Sequence, residues 1–318
     1  MTAGRDERLA LTRRSLLGGA VAGTAVAPLA WSYAAAQTPA PLALPEVVVT
    51  GSDTLGVIDL RNDPFGRITA EVMLNGQGPF RFFVDTGANR SALSAATAAR
   101  VGAVPDGEAM VHGVSGSEVM PTATLASLRC GAFEQRDTVV PILGDELILP
   151  AAGMLGMDRF SELRLEFDNA AREMVVKRSG HGWANALSVP ATIRYGQLVS
   201  ARGRIGGLNV PIVFDTGAEY ALANNALSEA IKARRQKVSP TKIATATMPL
   251  IVEDVMIIPQ IKLQDCAITN ATAYIGDFHI FKLWDLVKEP ALIVGMQVLR
   301  SVKRFALDYK RKEVQFQT

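Results

Sequence analysis

The tetrapeptide Asp-Thr-Gly-Ala occurs twice in this chain, as Asp85-Thr86-Gly87-Ala88 and as Asp215-Thr216-Gly217-Ala218. Each copy follows an apolar run, Phe82-Phe83-Val84 or Ile212-Val213-Phe214, of the kind that forms a buried strand. The surrounding sequence is duplicated as well. Copy one runs from about Gly66 to Arg178 and copy two from about Thr192 to Gln317. Each opens with a β-rich stretch, passes a Gly-bearing turn and enters the apolar strand that ends in the tetrapeptide. A short Ala-rich helical segment comes next. Later in each copy stands a second apolar-Gly element, Leu155-Gly156 or Val294-Gly295, and then a closing hairpin. A repeat of this length predicts two similar units. Strand–turn–strand patterns with few long helical periods predict a mainly β, bilobal fold whose halves are related by a pseudo-twofold.

The chemistry follows from placing two such carboxylates together. An Asp at the end of a buried strand is partly desolvated, which raises its pKa. The adjacent Thr and Gly supply a hydroxyl and a backbone N–H, and Gly permits a turn that a Cβ resists. Two facing loops would hold Asp85 and Asp215 as a pair that keeps one proton over a broad pH range. The ionised member can take a proton from water while the protonated member donates to a carbonyl oxygen. That is hydrolysis by general acid–base catalysis, with no metal or cofactor required.

With these residues in view, the chain resembles the retropepsin-like aspartic peptidases, in a bacterial exported form with two fused Asp-Thr-Gly-Ala halves. The resemblance covers most of residues 66–318 and rests on four elements in the family's order. It implies that Asp85 and Asp215 are the catalytic pair. Thr86 and Thr216 would interlock the loops through their hydroxyls, with Gly87, Ala88, Gly217 and Ala218 completing them. Leu155-Gly156 and Val294-Gly295 would pack beneath, in the family's psi-shaped arrangement. Alanine at the fourth position lacks the hydroxyl usual in pepsin-like enzymes, which implies activity at less acidic pH. The family covers its cleft with a β-hairpin flap. Gly113-Val114-Ser115-Gly116 is the candidate tip in copy one, with a plain surface turn as the alternative. The equivalent stretch of copy two, residues 242–249, has no glycine, so a single flap is expected. The implied activity is aspartic endopeptidase on a peptide or protein substrate. A catalytically silent peptide-binding or envelope-assembly module on the same fold is the competing reading, and a hydrolase of non-peptide amides a third.

Residues 1–36 resemble a twin-arginine export signal: Arg13-Arg14 precede a Gly/Ala-rich apolar stretch, and Ala34-Ala35-Ala36 suit a signal peptidase. A periplasmic or secreted protein is therefore expected, with no stable membrane span once the signal is removed. An ordinary secretory signal or an uncleaved anchor is the alternative. Residues 37–65 read as an N-terminal extension (a short cleft-covering propeptide is one reading), 66–178 as lobe 1, 179–191 as a linker and 192–318 as lobe 2. The formal net charge of +2 gives no reason to expect nucleic acid. The three histidines, His112, His181 and His279, show no ligand spacing, so no metal is expected. The only cysteines, Cys130 and Cys266, fall at roughly equivalent places in the two copies, which argues for one in each lobe rather than a bridge. Asp168 and Asp308 recur in hairpin context and read as turn or ion-pair residues. Trp284 and the 278–281 segment suit either a core or a substrate pocket. Both halves of the dyad lie in one chain, so a monomer with a pseudo-dimeric site suffices.

Overall fold

The computed structural model describes residues 53–317, except 65, 159, 161, 195 and 244. The expected export signal and most of the N-terminal extension lie outside the described residues.

Lobe 1 contains β1 (Thr54–Asn62), β2 (Ile68–Leu74), β3 (Gln77–Val84), β4 (Ala92–Ser94), α1 (Ala95–Arg100), β5 (Gly107–His112), β6 (Ser117–Cys130), β7 (Phe133–Leu143), α2 (Asp145–Ile148), β8 (Gly153–Leu155), β9 (Leu163–Asp168) and β10 (Glu173–Arg178). Lobe 2 repeats the order with β11 (Leu187–Arg194), β12 (Leu198–Ile205), β13 (Leu208–Phe214), β14 (Ala221–Ala223), α3 (Asn225–Ala230), β15 (Gln236–Ile243), β16 (Leu250–Leu263), β17 (Cys266–Ile275), α4 (His279–Leu283), β18 (Leu292–Val294), α5 (Met296–Leu299), β19 (Arg304–Asp308) and β20 (Glu313–Gln317). The molecule is mainly β, and the two halves correspond strand for strand.

The lobes share one antiparallel sheet, ordered β1-β10-β9-β19-β20-β11, to which each contributes three strands. Its centre is the β9–β19 pair, where Phe167 sits opposite Phe305 and their rings stack with centroids 4.5 Å apart. Both phenylalanines are buried. Alternation puts Arg164 and Glu166 on the other face of β9, and both are buried there too. Arg164 binds Glu166 at 2.8 Å and Gln315 of lobe 2 at 2.7 Å, and its guanidinium lies over the Trp183 ring. Burial alone would raise the Glu166 carboxyl, but Lys177 and Arg164 together hold it below the usual range. This charged cluster ties the lobes together, and removing one member would leave buried charge unpaired.

Several expectations need correction. The extension to residue 65 contains a strand: residues 54–59 of β1 pair with β10, and residues 60–62 turn onto β2. That stretch is built into the base of lobe 1 and is not a cover for the cleft. Its buried residues alternate, Ile58 and Leu60 facing the core, a pattern that a short lead-in would not need. The 179–191 linker likewise ends early. β11 begins at Leu187, pairs with β20 and then crosses to β12, the same path that β1 takes in lobe 1.

Cys130 and Cys266 are both free thiols. They lie in equivalent hairpins but on opposite sides of the turn: Cys130 ends β6 opposite Phe133, whereas Cys266 opens β17 opposite Leu263. Asp168 accepts from Ala170 N and Ala171 N and pairs with Arg304; Asp308 accepts from Ser179 and Arg311 N. Both are turn residues with charge partners. No helix among the described residues is long and apolar enough to cross a membrane.

Candidate active site

Each aspartate leaves the end of a strand whose neighbours pin it. β8 runs parallel to β3 and antiparallel to β4; β18 makes the same pairings with β13 and β14. The strand after the turn therefore threads between the strand that carries Asp and the one that follows it. Asp85 N donates to Leu155 O and Asp215 N donates to Val294 O, each at 3.0 Å. Gly156 and Gly295 continue these strands under the loops. A Cβ on Gly295 would lie 2.6 Å from Ala218 O and 2.7 Å from Tyr220 O, so only glycine fits. Met157 N and Met296 N then donate to Ala88 O and Ala218 O, at 2.9 and 2.8 Å.

The threonines join the two loops. Thr86 Oγ1 donates to Phe214 O at 2.8 Å and accepts from Thr216 N at 3.0 Å. Thr216 Oγ1 donates to Val84 O at 2.7 Å and accepts from Thr86 N at 3.1 Å. Both side chains are wholly buried, so four hydrogen bonds cross between lobes in a water-free place.

The carboxylates meet above this lattice. A Cβ on Gly87 would stand 2.5 Å from the Asp215 carboxyl carbon, and one on Gly217 would strike the Asp85 carboxyl. Each glycine is thus required by the aspartate of the other lobe. The two carboxyls share a hydrogen bond. Burial pushes Asp85 well above the ordinary carboxylate range, and the charge of Asp215 and the shared hydrogen bond push it further. Burial also raises Asp215, but the hydrogen bond from Asp85 and the N–H groups of Gly217, Ala218 and Gly87 oppose that rise. Gly217 N and Ala218 N reach Asp215 Oδ1 at 2.8 and 3.2 Å, whereas Asp85 Oδ1 receives Gly87 N at 2.8 Å. Burial thus raises both carboxyls, and they differ in that Asp215 receives two backbone N–H donors and Asp85 one.

Two neighbours of the dyad were not evident from sequence. The cation of Arg67 stabilises the anionic form of Asp85, and its guanidinium lies 3.8 Å from the Phe83 ring centroid. Tyr309 is buried, and burial together with the Asp85 charge raises its phenol. Both lie within the repeated units, but their counterparts are Leu198 and Asn169, so the repeat itself offered no signal for them.

Gly113–Gly116 form the tip of the β5–β6 hairpin, closed by Gly113 N to Gly116 O at 2.8 Å. The expectation of a single flap is corrected: β15 and β16 form a second hairpin, and the two tips meet. Ser115 Oγ bonds Thr245 Oγ1 at 2.7 Å and donates to Met248 O at 2.6 Å. Val114 packs on the lobe 2 cluster of Phe278, Phe281 and Trp284, while Ala246 packs on the lobe 1 cluster of Phe83, Leu147 and Ile148. Each tip thus leans on the other lobe. The second tip needs no glycine because Thr245 Oγ1 donates to Met248 O within it, and Thr247 Oγ1 donates to Gly116 O of its partner. Trp284 and Phe281 are buried in that core. Ser117 adds a side anchor, bonded to His112 at 2.5 Å and to His279 of lobe 2 at 2.7 Å. His181 takes no part in this contact. Asn224 caps α3 through Leu227 N, as Ser94 caps α1 through Thr97 N.

A family model described as aspartyl protease matches residues 70–159 and matches again over residues 201–298. The chain belongs to the aspartyl protease family. The two matches fall one in each lobe, and each contains one Asp-Thr-Gly-Ala loop with its following apolar-Gly strand. In this family setting the chain is a peptidase-type protein with a peptide substrate. No curated protein matches the sequence.

Proposed function

We propose that this family member is an aspartic endopeptidase whose dyad is Asp85 and Asp215. The observation that carries the reading is the carboxyl pair itself: two half-buried aspartates joined by a hydrogen bond, each packed against the other lobe's glycine. Asp215, with more N–H donors on its carboxyl, takes a proton from a water that adds to the peptide carbonyl carbon. Asp85 gives its proton to the carbonyl oxygen, and a neutral tetrahedral diol results. Collapse of the diol breaks the C–N bond. The proton gained by Asp215 leaves with the amine, and a diol hydroxyl returns one to Asp85, so the dyad ends as it began. The flap tips would lie over the bound peptide and exclude water during these steps.

We also propose that the protein acts outside the cytoplasm, on the strength of the paired arginines and the apolar stretch near the start of the sequence. One polypeptide carries the whole dyad, so the active species in this reading is the monomer.

The test is cleavage of a diverse peptide library between about pH 3 and 8 by the chain from residue 37. Folded Asp85→Asn and Asp215→Asn variants run alongside. The reading requires cleavage that both variants lose. Cleavage that persists in either variant excludes a shared dyad. No cleavage by any form favours a silent peptide-binding module.

A further inference from the structure

The two lobes differ sharply at one place remote from the dyad. In lobe 2, a groove of about 790 Å³ opens between the β12–β13 turn, the end of α3 and the outer face of β16. It is lined by Arg204, Lys232, Arg234 and Lys262, with no acidic residue among its lining. All four cations are solvent-exposed, and none pairs with a carboxylate among the described residues. Its apolar wall includes Ile257, 51% exposed, a large apolar side chain left uncovered amid cations. A second, smaller groove shares Arg204 and Lys262 and adds Arg202.

The duplication supplies an internal control. The pairing of Arg204 with Lys262 in lobe 2 corresponds to that of Met73 with Arg129 in lobe 1. After the short helix, Lys232 and Arg234 stand where lobe 1 has Gly102 and Val104, and Gln236 stands where lobe 1 has Asp106. Lobe 1 thus carries one cation and one carboxylate here, and Asp106 is spent on the Thr124 N–H and hydroxyl. The same fold needs no basic cluster at this place. Lys232 also adopts φ +49°, where lobe 1 uses Gly102 at φ +67°. A lysine side chain there costs about 1 kcal/mol relative to glycine, which makes it a poor choice for the fold alone.

We infer that this groove docks an acidic segment of the polypeptide substrate, outside the cleft; the assignment to substrate rests on the peptidase reading. A concave site with cations around an apolar wall suits a peptide that alternates carboxylates with an apolar residue. A flat membrane surface would not fill it. The groove and the dyad lie at opposite ends of β13, whose seven residues span roughly 20 Å at about 3.3 Å per residue. The acidic segment must therefore lie at least about six extended residues from the scissile bond.

Binding is measured first, by fluorescence anisotropy, with the full chain carrying Asp85→Asn so that nothing is cut. The probes are a labelled peptide rich in Glu and Asp with one Leu, a Lys-rich counterpart, inorganic phosphate, and vesicles containing anionic phospholipid. The acidic peptide should bind, weaken at least tenfold with Arg234→Glu/Lys262→Glu, and weaken with added salt. Arg234→Gln/Lys262→Gln, checked for native circular dichroism, should give an intermediate loss. Cleavage is then compared for two substrates that share a cleavage site, one with the acidic stretch eight residues away. The stretch should raise kcat/KM at least tenfold, and only in chains with the native groove. Binding to the groove without cleavage of either substrate upholds the groove and removes the peptidase reading. Cleavage with no binding and no tail effect overturns the groove and leaves the peptidase reading intact. Vesicles or phosphate bound more tightly than the acidic peptide, or affinity unchanged in the charge-reversed chain, also overturns it.

Discussion

Replacing Thr86 by Val keeps the shape of the side chain and deletes one hydroxyl. That hydroxyl donates to Phe214 O at 2.8 Å and accepts from Thr216 N at 3.0 Å. Thr86 has no exposed surface, so water does not take its place. The substitution therefore leaves a carbonyl and an N–H of the opposite loop buried and unpaired. At roughly 1–3 kcal/mol for each orphaned group, the expected loss is about 3 kcal/mol, with about 2 as a floor. In a chain of this size 1 kcal/mol corresponds to roughly 2–4 °C in Tm, so Tm should fall by roughly 6–12 °C. Thr216→Val removes the mirror-image pair of bonds, to Val84 O and Thr86 N, and should cost the same. The two sites share one lattice, so the double variant should cost about 1 kcal/mol less than the sum. Thr86→Ser, which restores the hydroxyl, should recover most of the loss. Thermal and urea unfolding followed by circular dichroism measures all four proteins, with peptide cleavage as a second readout. A single-variant loss under about 0.5 kcal/mol, or a Ser variant as damaged as Val, would refute the assignment of lobe-joining strength to these hydroxyls.

Asp85 has a raised folded-state pKa, so the stability it contributes is present below the unfolded carboxylate range and is lost as pH rises through the folded value. Asp85→Asn should consequently raise Tm relative to the native chain at pH 7 and lose that advantage near pH 3; an equal effect at both pH values would count against a buried shared proton. For the same reason the alkaline limb of the cleavage profile should lie above the usual aspartate range, and Ala218→Ser, which offers the Asp215 anion a hydroxyl donor, should move the acid limb to lower pH. Ser115→Ala breaks the contact between flap tips and should raise KM about fivefold, for roughly 1 kcal/mol of lost hydrogen bonding, with kcat little changed. Hydrogen exchange at residues 113–116 should speed up in that variant, and an unchanged rate would mean that the tips do not depend on this serine. Burial lifts the Cys130 thiol to about 12 and raises that of Cys266 as well. A thiol reagent should therefore count two free thiols in denaturant, while in the native protein Cys130 stays unlabelled and Cys266 reacts slowly.

The parts legible in sequence were those written twice. Asp85 and Asp215, their Thr-Gly turns and the apolar-Gly strands that run beneath them share one local pattern in both copies, and local pattern survives without knowledge of contacts. The second flap escaped notice because its tip does not rely on glycine; Thr245 and Thr247 are held by Ser115 of the other lobe, and turn propensity has no access to such a bond. Strand β1 falls within the expected N-terminal extension and the first part of β11 within the expected linker; each divides its pairing between two sheets, a long-range arrangement that local pattern does not report. Arg67 acts on Asp85, and Asp85 on Tyr309, through space alone.

Sequence by itself therefore determined the duplication, the mainly β class and the identity of the two carboxylates. Those properties follow from side-chain period, turn chemistry and repetition, all of which act over a few residues. Only the tertiary structure decided how differently the two carboxyls are held, since that depends on how many N–H groups and how much buried surface each one meets. It alone also decided that two hairpin tips meet across the lobes, and that lobe 2 gathers exposed cations from three separate elements into a single groove.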